Sequence, residues 1–197
     1  MFHSQPIGLP GLAALVVGFV AFLIALIAAR RRRGPRDPGE RRSAWSLVGI
    51  AVQCVAFLLA GFGVRVAAML DPLSATALAE ASVIALLMAA TVWLFAWASR
   101  TMGRNWSVVA RTRSDHELVT TGPFAYLRHP IYTALGLLLI ALAIAYGNEA
   151  RLVLALPIYA LGTWLRIAEE ERLLREAFGS AYDAYAARVK RFVPGVF

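Results

Sequence analysis

The chain carries little charge for its length. Of its 197 residues only 16% are Asp, Glu, Lys or Arg, where a soluble domain has about a quarter. With 59% apolar residues and a mean hydropathy of +0.64, it reads as one domain whose solvent is partly lipid. Cysteine is scarcer still. Cys54 stands alone, which excludes an internal disulfide and a cysteine-built zinc site; inside an apolar run it reads as a packing thiol. Three histidines, one of them at position 3, are too few and too scattered for a histidine metal site or a haem pair, so no metal is expected. There is no Gly-x-Gly-x-x-Gly after a strand, no Walker loop, no His-Glu-x-x-His and no nucleophile elbow. No internal repeat is present either. Acids are the minority sign, leaving a net charge of +8. A nucleic-acid binder would gather that excess on one soluble face, interleaved with aromatics. Here it lies between apolar runs, so membrane topology explains it and no nucleic-acid partner is expected.

What the chain has in quantity is apolar length. A transmembrane helix needs about 20 mostly apolar residues, and five stretches qualify: Leu9–Ala29, Trp45–Ala68, Ala77–Ala98, Ile131–Tyr146 and Leu152–Ile167. The last two are short and separated only by Gly147 to Arg151, which predicts a tight antiparallel hairpin. The first is not a signal peptide: no Lys or Arg precedes it, its apolar core is long, and Arg30 to Arg33 follow it. Residues 30–42 carry seven Arg, residues 99–129 five, and residues 166–197 five Arg plus Lys190. Of the twenty basic residues only Arg65 and Arg151 lie elsewhere. That asymmetry places the three basic segments and the C-terminal helices in the cytoplasm, and the N-terminus outside. Trp45, Trp97 and Trp164 fall near the cytoplasmic ends of their spans, as an aromatic belt requires. The expected fold is all-α and polytopic, with an N-terminal pair of helices over residues 1–76 and a three-span core over 77–197. A bacterial inner membrane is the expected location. The Arg30–Arg42 loop, with Gly34, Pro35, Pro38 and Gly39, reads as an anchor on anionic lipid. Pro157 is expected to kink the fifth span, and Pro130 suits the first turn of the fourth.

Two polar segments are richer than simple connectors. After the Gly122-Pro123 turn signal, Arg128 and His129 directly precede the proline that opens the fourth span, and Tyr132 projects from its first turn. A helix N-terminus offers free N–H groups and a positive dipole end. Arg128 adds a cationic fork and His129 a switchable donor or acceptor. This composes a seat for a carboxylate or phosphate; a snorkelling Arg beside an interfacial His is the plainer reading. The second segment runs Arg166-Ile-Ala-Glu169-Glu170-Glu171-Arg172-Leu-Leu-Arg175, with an apolar stripe of Leu173, Leu174, Ala177 and Phe178 that continues the helix beyond the membrane. Arg166–Glu170 and Glu171–Arg175 are i,i+4 pairs, the signature of a solvated helix face. Three consecutive acids near anionic headgroups nevertheless call for a cationic or hydroxyl-rich partner. Gly179 ends this helix and Ser180 can cap another, whose Tyr182, Tyr185, Arg188 and Val189 share one face, with Arg191 three residues beyond.

Leu118-Val-Thr-Thr-Gly-Pro-Phe124, then Arg128-His-Pro-Ile-Tyr132, then Glu170-Glu171-x-x-Leu174-x-x-x-Phe178-Gly179-x-x-Tyr182-x-x-Tyr185-x-x-x-Val189 together resemble the isoprenylcysteine carboxyl methyltransferase family, to which the phospholipid N-methyltransferases are close relatives. The resemblance covers roughly residues 90–197. It implies an integral membrane, S-adenosylmethionine-dependent methyltransferase. The cofactor would sit at the cytosolic ends of the last two spans, with the C-terminal helices closing over it. Arg128, His129, Tyr132, Glu170 and Glu171 would bind that cofactor. Arg188 matches the arginine that neutralises a substrate carboxylate, so Arg188 and Glu170 are the expected catalytic pair, with Tyr185 and Arg191 beside them on the substrate. The implied acceptor is lipophilic or lipid-linked: the carboxylate of a prenylcysteine-like compound, a thiol or an amine. Where many relatives carry Gly two residues after the motif tyrosine, this chain has Ala134. A sterol-type NADPH reductase shares an Arg-His-Pro-x-Tyr segment but places Asn before the Tyr and an acid soon after; here Ile131 stands there and the next acid is Glu149. A non-enzymatic accessory protein would leave the acids and Arg188 as surface charge.

Overall fold

Long apolar windows dictate long helices, because in lipid the backbone must satisfy its own hydrogen bonds. In the computed structural model, which describes residues 6–32, 41–42, 44–61, 69–106, 111–112 and 117–192, six helices follow one another. They are α1 (Leu9–Arg32), α2 (Ala44–Gly61), α3 (Ala75–Met102), α4 (Pro130–Ala145), α5 (Leu152–Phe178) and α6 (Ser180–Arg188). Short 3-10 turns occupy Gly103–Asn105, Gly122–Ala125 and Glu149–Arg151. The departures from an all-helical chain are small. Arg41–Arg42 (β1) pairs antiparallel with Arg111–Thr112 (β2), and isolated bridges join Ile7 to Met69 and Leu127 to Lys190.

The protein is a polytopic helical membrane protein. α1, α3 and the helix containing α5 are each long and apolar enough to cross a bilayer, and α2 and α4 are shorter apolar helices. At a rise of about 1.5 Å per residue, the 16 residues of α4 span roughly 24 Å, so this helix falls short of a full hydrocarbon core. The upper part of the second expected span, 62–68, lies outside the described residues, as does most of the basic loop at 33–40. Outward-facing Val17, Ile24, Leu86 and Val153 are all more than 60% exposed. Water would not tolerate such a surface, and lipid does.

α4 is the centre of the bundle. One side packs Ala134, Leu138, Ala141 and Ala145 against Phe22 of α1 and Ile84, Met88 and Phe95 of α3. The other packs Leu139 and Ala143 against Ala56 and Ala60 of α2 and Ala155 and Tyr159 of α5. Small residues set the spacing, since helices in lipid associate by close van der Waals contact. A Cβ at Gly18 of α1 would stand 2.5 Å from Met88 Cβ, and one at Gly162 of α5 would stand 2.8 Å from Gly49 O.

Several local expectations change. Cys54 is exposed, because α2 turns its small residues, not its thiol, toward α5. Gly179, at φ +52°, is both the C-cap of α5 and the N-cap of α6. Ser180 is therefore the first residue of α6 and caps nothing. Val189 is extended and outside the helix. α5 runs on through Pro157 as one 27-residue helix.

Candidate functional site

The basic end of the bundle is assembled from turns that the local sequence specifies. Gly122 holds φ +60°, and a Cβ there would meet Thr101 Oγ1 at 2.6 Å; glycine is what lets the chain turn against the end of α3. Pro123 is the second residue of the 3-10 turn Gly122–Ala125, which delivers Leu127 to His129 to the start of α4. Pro130 is the first residue of α4, and His129 is its N-cap without using its side chain as a cap.

The His129 ring turns instead to the acids of α5, which continues past Ile167 out of the apolar region. His129 Nε2 donates to Glu171 Oε1 at 3.2 Å, and Nδ1 lies 3.7 Å from Glu170 Oε2. Glu171 is 2% exposed and surrounded by cations. Arg191 grips it with a two-pronged fork, Nε to Oε1 at 3.0 Å and Nη2 to Oε2 at 2.9 Å, the strongest geometry for this pairing. Arg128 Nη1 adds a contact at 3.3 Å and Arg175 Nη2 one at 3.5 Å. Burial pushes the Glu171 pKa up, but the hydrogen bonds from His129 and Arg191 and the charge of Arg128 outweigh it. The carboxylate is held below its ordinary range.

Glu170, a quarter exposed, accepts from the Tyr132 hydroxyl at 2.5 Å. Tyr132 is itself fixed on every side. Its carbonyl accepts from Tyr159 Oη at 2.6 Å, and the Arg166 guanidinium lies over its ring at 4.9 Å. Arg166 Nη1 donates to Gln53 of α2 at 2.9 Å, and Gln53 Nε2 donates to Thr163 Oγ1 at 2.7 Å. Arg166 thus turns toward α2 and Tyr132, where the i,i+4 spacing pointed to Glu170.

A short extended segment after α6 roofs the cluster. Arg128 N–H donates to Lys190 O at 2.8 Å and His129 N–H to Arg191 O at 3.1 Å. The Arg191 guanidinium covers the Trp164 ring at 5.3 Å, and the rings of Phe192 and His129 are 6.3 Å apart. From α6, Tyr185 Oη donates to Phe124 O at 2.7 Å. Tyr182 is 1% exposed, its pKa pushed up to about 12 by burial and then by the charge of Glu171. Two buried polar atoms here, Arg128 Nε and Tyr182 Oη, have no hydrogen-bond partner among the described residues.

Of the expected site residues, the structure brings Arg128, His129, Tyr132, Glu170 and Glu171 together, with Arg191 as a sixth. Tyr185 is nearby, but its hydroxyl is committed to the Phe124 carbonyl. Arg188 is exposed, its Nε directed at Ala184 O of its own helix at 3.4 Å, outside the cluster. Tyr159 and Gln53 have no place in the sequence reading, and Arg166 and Tyr182 enter it only as a helix-face pair and as one residue of a stripe. The signal for Gln53 was available: an amide in an apolar span is costly unless it is hydrogen-bonded to something specific.

A family model described as phospholipid methyltransferase matches residues 79–181, a little over half of the chain. A protein-S-isoprenylcysteine O-methyltransferase of Schizosaccharomyces pombe is 32% identical over 91 residues, 44% of this chain and 37% of that protein. One from Tribolium castaneum is 35% identical over 100 residues, covering 48% and 34%. The nickel-cobalt-cadmium resistance protein NccN of Alcaligenes xylosoxydans xylosoxydans is 34% identical over 106 residues, 53% of this chain and 49% of that protein. The chain therefore spans between a third and a half of the length of these curated relatives. Helix α2 and the segment 189–192 fall outside the family match.

Proposed function

Because the chain belongs to the phospholipid methyltransferase family, we propose that it takes S-adenosylmethionine at the α4–α5–α6 cluster and passes the methyl group to a lipophilic acceptor. The observation that carries this reading is one small cluster in which the quarter-exposed Glu170 lies beside His129 while Arg128 closes on Glu171. The Tyr182 hydroxyl sits next to the Arg128 guanidinium, and neither Arg128 Nε nor Tyr182 Oη is in a well-formed hydrogen bond among the described residues. An unmet buried donor costs about 1–3 kcal/mol, a debt that a ligand carboxylate would cancel. The cofactor supplies an electrophilic methyl on a sulfonium; the chain's own groups bind and orient. The carboxylate suits Arg128, Tyr182 and the positive dipole end at the start of α4. Ribose hydroxyls and the ammonium suit Glu170, whose orientation is set by Tyr132 and His129. Glu171 is already saturated by cations, so its part is to hold Arg128, His129 and Arg191 in place. Arg191 accordingly moves from the acceptor side to this scaffold. Arg188, which has no acid partner among the described residues, is the guanidinium left for an acceptor carboxylate. Transfer requires in-line approach of the nucleophile to the methyl, so positioning and exclusion of water make up most of the catalysis. A lipid-embedded bundle with its polar site at one end lets an apolar acceptor and a polar cofactor meet without either leaving its own solvent.

The topology that fits puts the basic end in the cytoplasm of a bacterial inner membrane, by the positive-inside rule. Thermal unfolding of purified protein with S-adenosylhomocysteine or NADPH tests the reading, since a ligand that binds only the folded state raises its stability by mass action. Stabilisation by S-adenosylhomocysteine alone is expected. Stabilisation by NADPH alone, or by neither, would overturn it.

A further inference from the structure

Helix α2 lies outside the matched segment, yet one of its faces is built into the site. Gly49, Gln53 and Phe57 recur every four residues and so line one stripe of the helix. Gly49 meets α5 at backbone contact: a Cβ there would stand 2.4 Å from Arg166 Cγ and 2.8 Å from Gly162 O. That close crossing brings the Gln53 amide to both polar groups of the next turns of α5. Its carbonyl accepts from Arg166 Nη1 at 2.9 Å, and its NH2 donates to Thr163 Oγ1 at 2.7 Å. One turn further, the Phe57 ring packs edge-on against Tyr159 at 6.1 Å. Both contacts converge on one residue. Arg166 lies over the Tyr132 ring, Tyr159 holds the Tyr132 carbonyl, and the Tyr132 hydroxyl sets Glu170.

We infer that Gln53 is a positioning residue for cofactor binding, acting through Arg166 and Tyr132 on Glu170; the inference rests on the reading of this cluster as the S-adenosylmethionine site. The role of Gln53 is indirect, through these neighbours. Its amide oxygen takes one N–H of the buried guanidinium that lies over the Tyr132 ring, so the amide helps set the direction of Arg166 and, through Tyr132, that of Glu170. A side chain that serves only helix packing would not do this. The chemistry of the pair also specifies a substitute: a carboxylate at position 53 keeps an acceptor for Arg166, whereas an apolar side chain of similar length removes it.

The test is calorimetric titration of S-adenosylhomocysteine into the full-length protein, wild type, Gln53→Met, Gln53→Glu, Tyr132→Phe and the Gln53→Met/Tyr132→Phe double variant. Gln53→Met is expected to weaken binding at least about fivefold, and Gln53→Glu to stay within about twofold of wild type. In the Tyr132→Phe background, Gln53→Met should cost nothing further, because residues acting through one chain of contacts are not additive. Independent, additive losses, or an unchanged affinity for Gln53→Met, would reduce Gln53 to a packing residue while leaving the cofactor reading intact. If Gln53→Met does not fold, Gln53→Glu decides alone, and a tenfold loss there overturns the inference. Absence of binding by the wild type would remove the cofactor reading, and this inference with it.

Discussion

Replacing Glu171 by Gln keeps the shape of the side chain and removes its charge, and the structure predicts where the damage falls. The carboxylate now receives the Arg191 fork, His129 and Arg128 at 2.9–3.3 Å. An amide keeps one acceptor and turns its NH2 toward a guanidinium. Breaking one partner out of a buried ion cluster costs about 3–5 kcal/mol. Arg191 is a quarter exposed and Arg175 half exposed, so the low end applies, about 3 kcal/mol, or a little over a hundredfold in an equilibrium. That free energy is lost locally, at the contact between the segment after α6 and the turn before α4. Hydrogen exchange reads it directly, because Arg128 and His129 N–H groups donate to Lys190 and Arg191 carbonyls and exchange when the segment lifts. Their protection should fall by roughly a hundredfold in Glu171→Gln, while peptides from α1 and α3 change little. Equal protection of these two amides in both proteins would refute the reasoning.

Three further outcomes follow from the same geometry. Glu170→Ala should weaken S-adenosylhomocysteine binding by about tenfold or more, the loss of a charge-assisted hydrogen bond of roughly 1.5–3 kcal/mol; unchanged affinity by calorimetry would return Glu170 to the surface. The Glu171 carboxyl is held below its ordinary value of 4.5, so its stabilisation is complete above that pH and is lost as pH falls below it. The melting temperature should therefore drop below about pH 4.5, and drop less steeply in Glu171→Gln. Arg188→Lys should impair methyl transfer to a carboxylate acceptor while cofactor affinity stays near wild type, since lysine lacks the planar fork; full turnover of this variant would free Arg188 from any role.

What could be read from the chain was what is local. Apolar windows marked the helices, and Gly122 and Pro130 their turn and helix start, whereas the meeting of the paired acids of α5 with Arg128 and His129, some forty positions away, came only from the family resemblance. Contacts across about a hundred positions of sequence were not legible. Gln53 meets Thr163 and Arg166 only because Gly49 and Gly162 allow two helices to touch, and no periodicity in either helix announces its partner. Arg188 is the last residue of α6, and it is Arg191, expected three residues further along the same face, that the end of the helix relocates. Val189 is extended, so the chain leaves α6 and carries Arg191, rather than Arg188, to Glu171. Tyr182 reads as one member of an aromatic stripe, and the burial of its hydroxyl beside Arg128 is visible only once its neighbours are in place.

The pairing of Leu127–His129 with Lys190–Arg191 also fixes an order of events during biosynthesis. The two halves are about 60 residues apart, which at a ribosomal rate of roughly 5–20 residues per second is about 3–12 s of elongation. Throughout that interval α4 and α5 can enter the bilayer against α3 and α2, on which each chiefly packs instead of forming the tight hairpin expected from the short link between them. Glu171 must wait without the guanidinium fork that neutralises it, and Arg128 and His129 keep their backbone donors in water. Membrane insertion and site formation are therefore separate steps, and a nascent chain stalled before residue 190 would be correctly embedded yet unable to close its own polar end.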